Sequence, residues 1–151
     1  MALTLIRDTR EQLGYRFDTP CVDGTLAIGD YSVAGLQDLV SVERKELGDL
    51  IQCLSSDRIR FERELHRGRS LDHFAVVVEG TLEDIAKHRY RSEMLPKAVL
   101  QSLITFSVRY RLPIWFAGTR EYGQRLTESI LLKYGREIEK RMEAMEKADA
   151  K

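Results

Sequence analysis

The apolar run HFAVVVEG, residues 73–80, limits more than any other feature what this chain can fold into. It is too short for most helices, and a continuous apolar run is typical of a strand buried on both faces of a sheet. The run LPIWFAG, residues 112–118, has the same character. Between them, residues 96–111 have an apolar helical face and begin with a proline, which is favoured at the first helical position. This alternation predicts an α/β fold with a central mixed β-sheet flanked by α-helices.

The first third of the chain has the features of strands separated by turns. Strands are predicted at LTLIRD (3–8), TLAIGDYSVAG (25–35) and DLVSVERK (38–45). The second is interrupted at Gly29-Asp30, and its short separation from the third predicts a hairpin. Residues 9–17 are predicted as a turn or short helix. Residues 19–24 (TPCVDG) are predicted as a turn, because they contain Pro20 and an Asp-Gly pair.

Helical periodicity begins after residue 46. Leu47, Leu50, Ile51 and Leu54 recur at the spacing of one helix face. A pause at residues 55–57 (SSD) offers Ser or Asp as the cap of a second helix that runs to about residue 65. Thr81 and Asp84 have the spacing of a capping box, and one or two helices are predicted from residue 119 onward.

The whole chain is predicted to be a single domain, residues 1–151, with a core at about 3–134 and a charged C-terminal helix at 135–151. Its 151 residues are enough for one buried core, and the 43% hydrophobic content is ordinary for a globular protein. In the C-terminal helix, Ile138, Met142 and Met145 form a narrow apolar stripe. The stripe can either pack on its own domain or join a homodimer.

Charge and cysteine content narrow the class of protein. The 24 basic and 24 acidic residues cancel, so any nucleic-acid binding has to depend on local clusters. Cys21 and Cys53 are far apart and fit a reducing compartment better than a disulfide framework. The three histidines lack zinc-ligand spacing. No long apolar run is present, which predicts no membrane association and a cytoplasmic or nucleoid-associated location.

The segment SVERKELGD, residues 41–49, contains a candidate catalytic group. On a strand Glu43 and Lys45 face one side and Arg44 the other. If the hairpin forms, Asp30 approaches Glu43, and two close carboxylates repel each other unless a cation lies between them. Oxygen ligands of this kind favour Mg²⁺ or Mn²⁺, and a lysine beside them suits phosphodiester hydrolysis. Asp49 falls in the first turn of the following helix.

Each part of this group also has an ordinary explanation. Glu-Arg-Lys is common at exposed strand ends, Gly-Asp is common in turns, and an acid is favoured at a helix N-terminus. A bare Asp…Glu-x-Lys match is short enough to arise by chance.

A longer series of motifs resembles one nuclease family. IGDYSV followed by LVSVERKELGD resembles the G-D-x(n)-E-R-K-x-x-x-D signature of the XPF/Hef/Mus family of structure-specific endonucleases. LIRDTRE (5–11) is similar to its opening V-D-x-R-E strand, and DLIQCLSSDRIRFE (49–62) to its D-L-x-x-S-L-x-x-G-R-L-x-x-Q stretch. FAVVVEG and IWFAGTREYGQRLTESILLK resemble later segments. Two positions depart from the pattern, since Asp57 replaces a glycine and Glu62 a glutamine.

The resemblance implies a restriction-endonuclease-like core, a divalent metal (Mg²⁺ or Mn²⁺), no organic cofactor, and hydrolysis of phosphodiester bonds in DNA. It implies that Asp30 and Glu43 hold the metal together with a backbone carbonyl near Arg44, and that Lys45 assists the water or the transition state. Asp49 and Asp8 would be further acidic members of the site, Asp8 as a metal ligand, and Glu11 an additional acidic candidate. Arg44 would be a structural or phosphate-contacting member of the catalytic group.

DNA contacts are expected from basic residues around this site. The basic segments at 58–69 and 87–97 and the opening motif provide Arg10, Arg58 and Arg91 as candidates, although a solvated helix face with ion pairs explains such segments equally well. The favoured function is a metal-dependent DNA endonuclease on branched, flap or fork DNA, in line with DNA repair or recombination. The alternatives are a non-catalytic DNA-binding or scaffold subunit, and a junction-resolvase or restriction-type nuclease.

Overall fold

The computed structural model describes residues 2–150. Six strands and five helices follow one another in these residues. The strands are β1 (Leu5–Asp8), β2 (Cys21–Gly24), β3 (Tyr31–Val33), β4 (Val40–Glu46), β5 (His73–Glu79) and β6 (Ile114–Phe116). The helices are α1 (Leu47–Leu54), α2 (Arg58–Gly68), α3 (Leu82–Ala86), α4 (Pro96–Tyr110) and α5 (Arg120–Asp149).

The strands form one mixed sheet in the order β2-β1-β3-β4-β5-β6. The pairs β1–β3 and β3–β4 are antiparallel, whereas β1–β2, β4–β5 and β5–β6 are parallel. The predicted hairpin is therefore confirmed as β3–β4, and Tyr31 pairs with Val42. The predicted central mixed sheet with flanking helices is confirmed as well.

Helices cover both faces of the sheet, and side-chain alternation along β5 assigns each residue to a face. Val76 and Val78 belong to a core formed with α1, α2, α3 and α4. Val77 belongs to the other core, which contains Tyr15, Tyr31 and Leu131 of α5. This double coverage is why residues 74–78 are all buried and why the segment reads as a continuous apolar run.

Two predictions of local structure are wrong. Residues 21–24 form strand β2, not a turn, because their backbone pairs with β1 from Leu5 opposite Cys21 to Asp8 opposite Gly24. This parallel pairing overrides the turn-forming tendency of Asp-Gly. The strand in residues 112–118 is short and lies at the edge of the sheet, so Trp115 is 48% exposed instead of buried.

Most of the helix predictions are confirmed. α1 and α2 lie where the periodicity predicts them, but Asp57 at the start of α2 makes no side-chain capping bond and accepts from Gln52 Nε2 instead. The Thr81–Asp84 capping box is present at α3, and Pro96 opens α4. Residues 9–17 contain no helix, and residues 120–149 form one continuous helix.

The apolar stripe of the C-terminal helix divides between two environments. Ile138 packs against the core on the α5 side of the sheet. Met142 and Met145 are exposed. Within residues 2–150 no helix combines the length and the apolar character needed to cross a membrane.

Candidate active site beside the β3–β4 hairpin

A glycine turn places the first candidate ligand. Gly29 has φ +76°, and a Cβ at this position would lie 2.0 Å from Ser41 Oγ, so no other residue fits without a shift. Ser41 Oγ donates to the carbonyls of Ile28 and Tyr31 and holds the turn against β4. Asp30 N in turn donates to Val42 O, 2.9 Å away. The side chain of Asp30 is therefore directed at the start of the charged segment.

Asp30 and Glu43 form a buried carboxylate pair. Asp30 precedes Tyr31 in the hairpin register, which brings it opposite Glu43, and the two side chains are in hydrogen-bonding contact. Arg44 N donates to Asp30 Oδ2 at 2.7 Å. Burial, followed by the charge of Glu11, raises the pKa of Asp30 to about 6. Burial and the charge of Asp30 also hold the pKa of Glu43 well above its usual range.

Lys45 is the cation beside this pair. Its Nζ lies 3.2 Å from Glu43 Oε2 and 5.8 Å from the centre of the Phe61 ring. Burial is the largest single effect and lowers the pKa of Lys45, but the charge and hydrogen bond of Glu43, together with the charges of Cys53 and Glu64, raise this pKa overall. Glu64 of α2 is close enough to contribute to the raised pKa of Glu43. Asp30, Glu43 of β4 and Glu64 of α2 thus surround one amine, that of Lys45.

Arg44 lies on the opposite face of β4, as the strand alternation predicts. Its Nε donates to Glu79 Oε2 at 2.8 Å, and its guanidinium carbon lies 4.7 Å from the centre of the Tyr15 ring. It also forms an ion pair with Glu11 at 3.4 Å. Tyr15 Oη donates to the same Glu79 oxygen. Arg44 is thus enclosed by acidic and aromatic groups under the carboxylate pair.

In the opening motif, Arg10 donates hydrogen bonds to the carboxylate of Asp8. Asp8 Oδ1 accepts from Arg10 N and Nε, and Asp8 Oδ2 accepts from Arg10 Nη2 and Leu26 N. These bonds, led by that to the Arg10 side chain, lower the pKa of Asp8 to about 2. Both oxygens of Asp8 are therefore already used. Its role as a metal ligand would require at least one of these bonds to open.

The remaining acids border a shallow cleft. A cleft of about 330 Å³ has in its lining Arg10, Glu11, Leu13, Arg44, Glu46 and Asp49. Asp49 is exposed there, on the first turn of α1. The structure therefore brings Asp30, Glu43 and Lys45 together, and leaves Asp49 at the rim.

Two of the candidate DNA contacts differ in how far they are free to bind a ligand. Arg58 Nη1 donates to Ser102 Oγ at 2.8 Å and to Leu54 O, and its guanidinium lies 4.7 Å from the centre of the Phe106 ring. These contacts join α2 to α4. Arg91 is exposed in the loop between α3 and α4. Arg91 is thus the more accessible of the two.

The donor set fits a hard divalent cation. No group of three or more His, Cys, Asp or Glu side chains within residues 2–150 is arranged to hold a metal ion. Asp30 and Glu43 are nonetheless two buried carboxylates with raised pKa values. A cation between them would offset their negative charges, and the pair offers oxygen ligands only. A backbone carbonyl can supply a further oxygen ligand.

Sequence reasoning missed Glu64, Glu79 and Tyr15. Glu64 follows Phe61 by three residues, and both lie on the inner face of α2, so helical periodicity could have indicated it. Glu79 ends the apolar run that predicts β5. No local pattern indicates that Tyr15 reaches Glu79, because 64 residues separate them.

Comparisons with known proteins identify the family and the fold. The family model described as the ERCC4 domain matches residues 7–130. The solved structure of XPF from Aeropyrum pernix is similar, with a TM-score of 0.68 and 18% identity; the match covers 87% of this chain and 61% of that one. The structure titled XPF from Aeropyrum pernix, complex with DNA, has a TM-score of 0.72 and 18% identity, over 89% of this chain and 66% of that one.

These matches show the fold of the chain and the share of the Aeropyrum chains that it covers. The chain spans between three fifths and two thirds of the length of the Aeropyrum chains. At 18% identity the likeness is one of fold, and it agrees with the predicted restriction-endonuclease-like α/β core. The search of curated proteins found no match.

Proposed function

The chain belongs to the ERCC4 domain family, and from this premise we propose that it is a divalent-metal-dependent endonuclease that hydrolyses phosphodiester bonds in branched, flap or fork DNA. Family membership supports a DNA nuclease or DNA-binding role in general. The observation that carries the finer proposal is the buried Asp30–Glu43 pair with Lys45 beside it.

Under this proposal Asp30, Glu43 and the main-chain carbonyl of Arg44 would hold Mg²⁺ or Mn²⁺. A bound divalent ion would polarise the scissile phosphate and make a nearby water more acidic. Its positive charge would also offset the repulsion between the two carboxylates, which burial otherwise makes costly. The 2.7 Å hydrogen bond from Arg44 N to Asp30 Oδ2 supports this assignment, because it orients the carboxylate. Asp30 Oδ1 does not take part in this bond.

Lys45 is proposed as the positive group that faces the reacting phosphate. Its ion pair with Glu43 holds the amine beside the carboxylates, and its raised pKa keeps it protonated throughout the neutral range. A protonated amine fixed in a partly buried site can orient the attacking water or stabilise negative charge on the phosphate as it develops.

Arg44 is proposed as a structural member of the site. Its contacts with Glu79, Glu11 and Tyr15 satisfy the guanidinium on the face away from Lys45. Asp8 is proposed to hold Arg10 in place, and Asp49 and Glu11 to shape the rim. Arg10 and Arg91, which are both exposed, are then the better candidates for phosphate contacts, and Arg58 the weaker one.

The proposal is tested by cleavage of labelled flap, fork, four-way-junction and plain duplex DNA in Mg²⁺ or Mn²⁺. We expect cleavage of the branched substrates, and a loss of about a hundredfold or more in Asp30→Asn and Lys45→Ala, because each removes a charge required in the transition state. Lys133→Ala removes an exposed lysine from α5 and serves as the matched control.

Folding is checked in each variant by thermal unfolding. Cleavage that is unchanged in folded Asp30→Asn and Lys45→Ala would contradict the assigned site. Binding of branched DNA without cleavage at any metal concentration would favour the non-catalytic subunit instead. Preference for four-way junctions or for plain duplex would favour the resolvase or restriction-type alternative.

A further inference from the structure

Leu13 has an unusual combination of exposure and backbone conformation. Its side chain is 86% exposed, more than any other large apolar side chain in residues 2–150. Its φ is +50°, in the left-handed region that glycine or asparagine adopts far more readily than leucine. Exposure means that packing within the domain does not compensate the strained backbone. Such a residue is a reason to look for a function outside the fold.

The loop holds Leu13 rigidly in this position. The Leu13 carbonyl accepts from Arg44 Nη1 at 3.3 Å and from Arg120 Nη2. Arg120 Nη2 also donates to the Gly14 carbonyl at 3.1 Å, and its guanidinium lies 5.3 Å from the centre of the buried Tyr15 ring. The exposed Leu13 side chain therefore extends from a backbone segment that hydrogen bonds from Arg44 and Arg120 hold in place.

Leu13 lies in the lining of two polar clefts. One is the cleft of about 330 Å³ that contains Arg44 and Asp49. The other, here called the arginine cleft, has a volume of about 540 Å³, and Arg7, Arg16 and Arg120 lie in its lining. Glu11 borders both clefts, and its charge contributes to the raised pKa of Asp30. Leu13 thus lies on the Arg44 side of β4, and Glu11 connects its surroundings to the carboxylate pair.

The arginine cleft favours an anionic ligand. Two of its three acids pair with an arginine, Asp8 with Arg10 and Asp23 with Arg7, whereas Glu11 shares Arg44 with Glu79. Arg16 and Arg120 have no acidic partner within the part of the chain that the structure describes. Two uncompensated guanidinium groups are suited to phosphate oxygens.

We propose that Leu13 is an apolar wedge that packs against the exposed face of a base at the branch point of DNA, while Arg16 and Arg120 contact phosphates of the strand leaving the site. This rests on the proposed function and names how the same site selects its substrate. A branch point exposes base faces that an uninterrupted duplex keeps stacked, and apolar side chains inserted at a base step are an established means of unstacking it. Leu13 would therefore favour branched DNA over plain duplex.

The test uses the catalytically inactive Asp30→Asn protein and a DNA fork with 2-aminopurine in the base pair beside the branch. Binding is followed by anisotropy in the presence of Mg²⁺, and unstacking by the rise in 2-aminopurine fluorescence. We expect a fluorescence rise with Leu13 present and none after Leu13→Gly or Leu13→Asn. The ratio of fork to duplex affinity should fall about tenfold, as removal of one well-buried apolar contact would produce.

The two substitutions separate binding from folding. Glycine and asparagine both adopt positive φ more readily than leucine, so the midpoint of thermal unfolding should be no lower than in the parent protein. Met145→Ala, which removes an apolar side chain that is 66% exposed on α5, should change neither the fluorescence rise nor the affinity ratio.

The arginine contacts have a separate signature. Arg16→Ala should weaken fork binding and reduce the slope of log affinity against log salt, while the fluorescence rise of the bound fork remains. Arg141→Ala, at an exposed position in the C-terminal part of α5, is the matched control and should have the smaller effect.

Four results would overturn the inference. A fork that binds without a fluorescence rise, or an affinity ratio unchanged by Leu13→Gly, would exclude the wedge and leave the nuclease proposal standing. An Arg16→Ala protein that binds as Arg141→Ala does would exclude the phosphate contact. Failure to bind any of the DNA substrates would contradict both this inference and the proposed function.

Discussion

At the scale of single residues, the carboxylates around the site divide by their partners. Asp8 accepts four hydrogen bonds, which lower its pKa to about 2. Asp30 and Glu43 accept few such bonds and are buried next to each other, so their pKa values rise. The ionised carboxylate is thus stabilised at Asp8 and destabilised at Asp30 and Glu43. This contrast suggests that Asp8 serves the fold and the pair serves the chemistry.

The low pKa of Asp8 predicts an acid-dependent loss of stability. Its carboxylate is ionised above the unfolded-state pKa of 3.8, where its full contribution of about 2 kcal/mol is present. That contribution is lost as pH falls from about 5 toward 2. In Asp8→Asn we therefore expect a lower free energy of unfolding at pH 7, and convergence with the wild type near pH 2, measured by urea titration across this range.

Asp38→Asn is the control for this titration, because Asp38 is exposed in the turn between β3 and β4. It should keep the acid dependence of the wild type. Parallel curves for Asp8→Asn and the wild type between pH 5 and pH 2 would show that the Asp8 bonds contribute nothing to stability.

At the scale of elements, the β3–β4 hairpin is what creates the site. Its register brings Asp30 opposite Glu43, and the parallel pairing of β4 with β5 brings Arg44 opposite Val77, two residues before Glu79. The carboxylate pair lies on one face of the sheet and the Arg44–Glu79 contact on the other. A shift of one residue in this register would exchange the two faces.

The glycine turn at the entrance to β3 is therefore expected to be sensitive. Gly29→Ala introduces a Cβ at positive φ and 2.0 Å from Ser41 Oγ, so the turn must move and displace Asp30. We expect a loss of about 2–4 kcal/mol in the free energy of unfolding, from the backbone strain and the overlap together, and a clear fall in cleavage rate. Urea unfolding and the flap assay measure the two effects.

Gly35→Ala is a close match for this substitution. Gly35 also has positive φ, but a Cβ there meets no atom within 4 Å. It should show the backbone cost alone, about 1 kcal/mol, with the cleavage rate retained. Equal effects of the two substitutions on cleavage would contradict the role of the Gly29 turn in positioning Asp30.

At the scale of the whole molecule, the β6 edge of the sheet has an exposed apolar groove. A groove of about 500 Å³ contains Leu82 of α3, Ile104 and Val108 of α4, and Phe116 of β6. Val108 is 76% exposed. Contiguous apolar surface of this kind is typical of contacts between proteins. If the chain forms a homodimer, this face is a better candidate than the C-terminal helix, where Ile138 already packs on its own domain.

A charged residue in the groove tests this expectation. Val108→Glu should convert a dimer to a monomer in sedimentation velocity at micromolar concentration, because an unpaired carboxylate would be buried at the interface. Met142→Glu, on the exposed part of α5, should leave the dimer intact. A wild-type monomer at the same concentration, or a dimer that survives Val108→Glu, would show that this face is not the interface.

The sequence by itself determined the features that depend on local periodicity. The apolar run of β5 and the helical spacing of α1 follow from short repeats, as does the separation of Glu43 and Lys45 from Arg44, since alternation along a strand is a property of the backbone. The β3–β4 hairpin was predictable too, because its partners are near neighbours in the chain.

Only the tertiary structure decided which distant groups meet. β2 forms because β1 lies beside it, against the preference of its own residues for a turn. Glu64 approaches Glu43 through the packing of α2, and Tyr15 meets Glu79 on the α5 face of the sheet. The exposure of Leu13 follows from bonds to Arg44 and Arg120, which are 31 and 107 residues away. Such contacts depend on how elements pack, and no short segment of sequence specifies that.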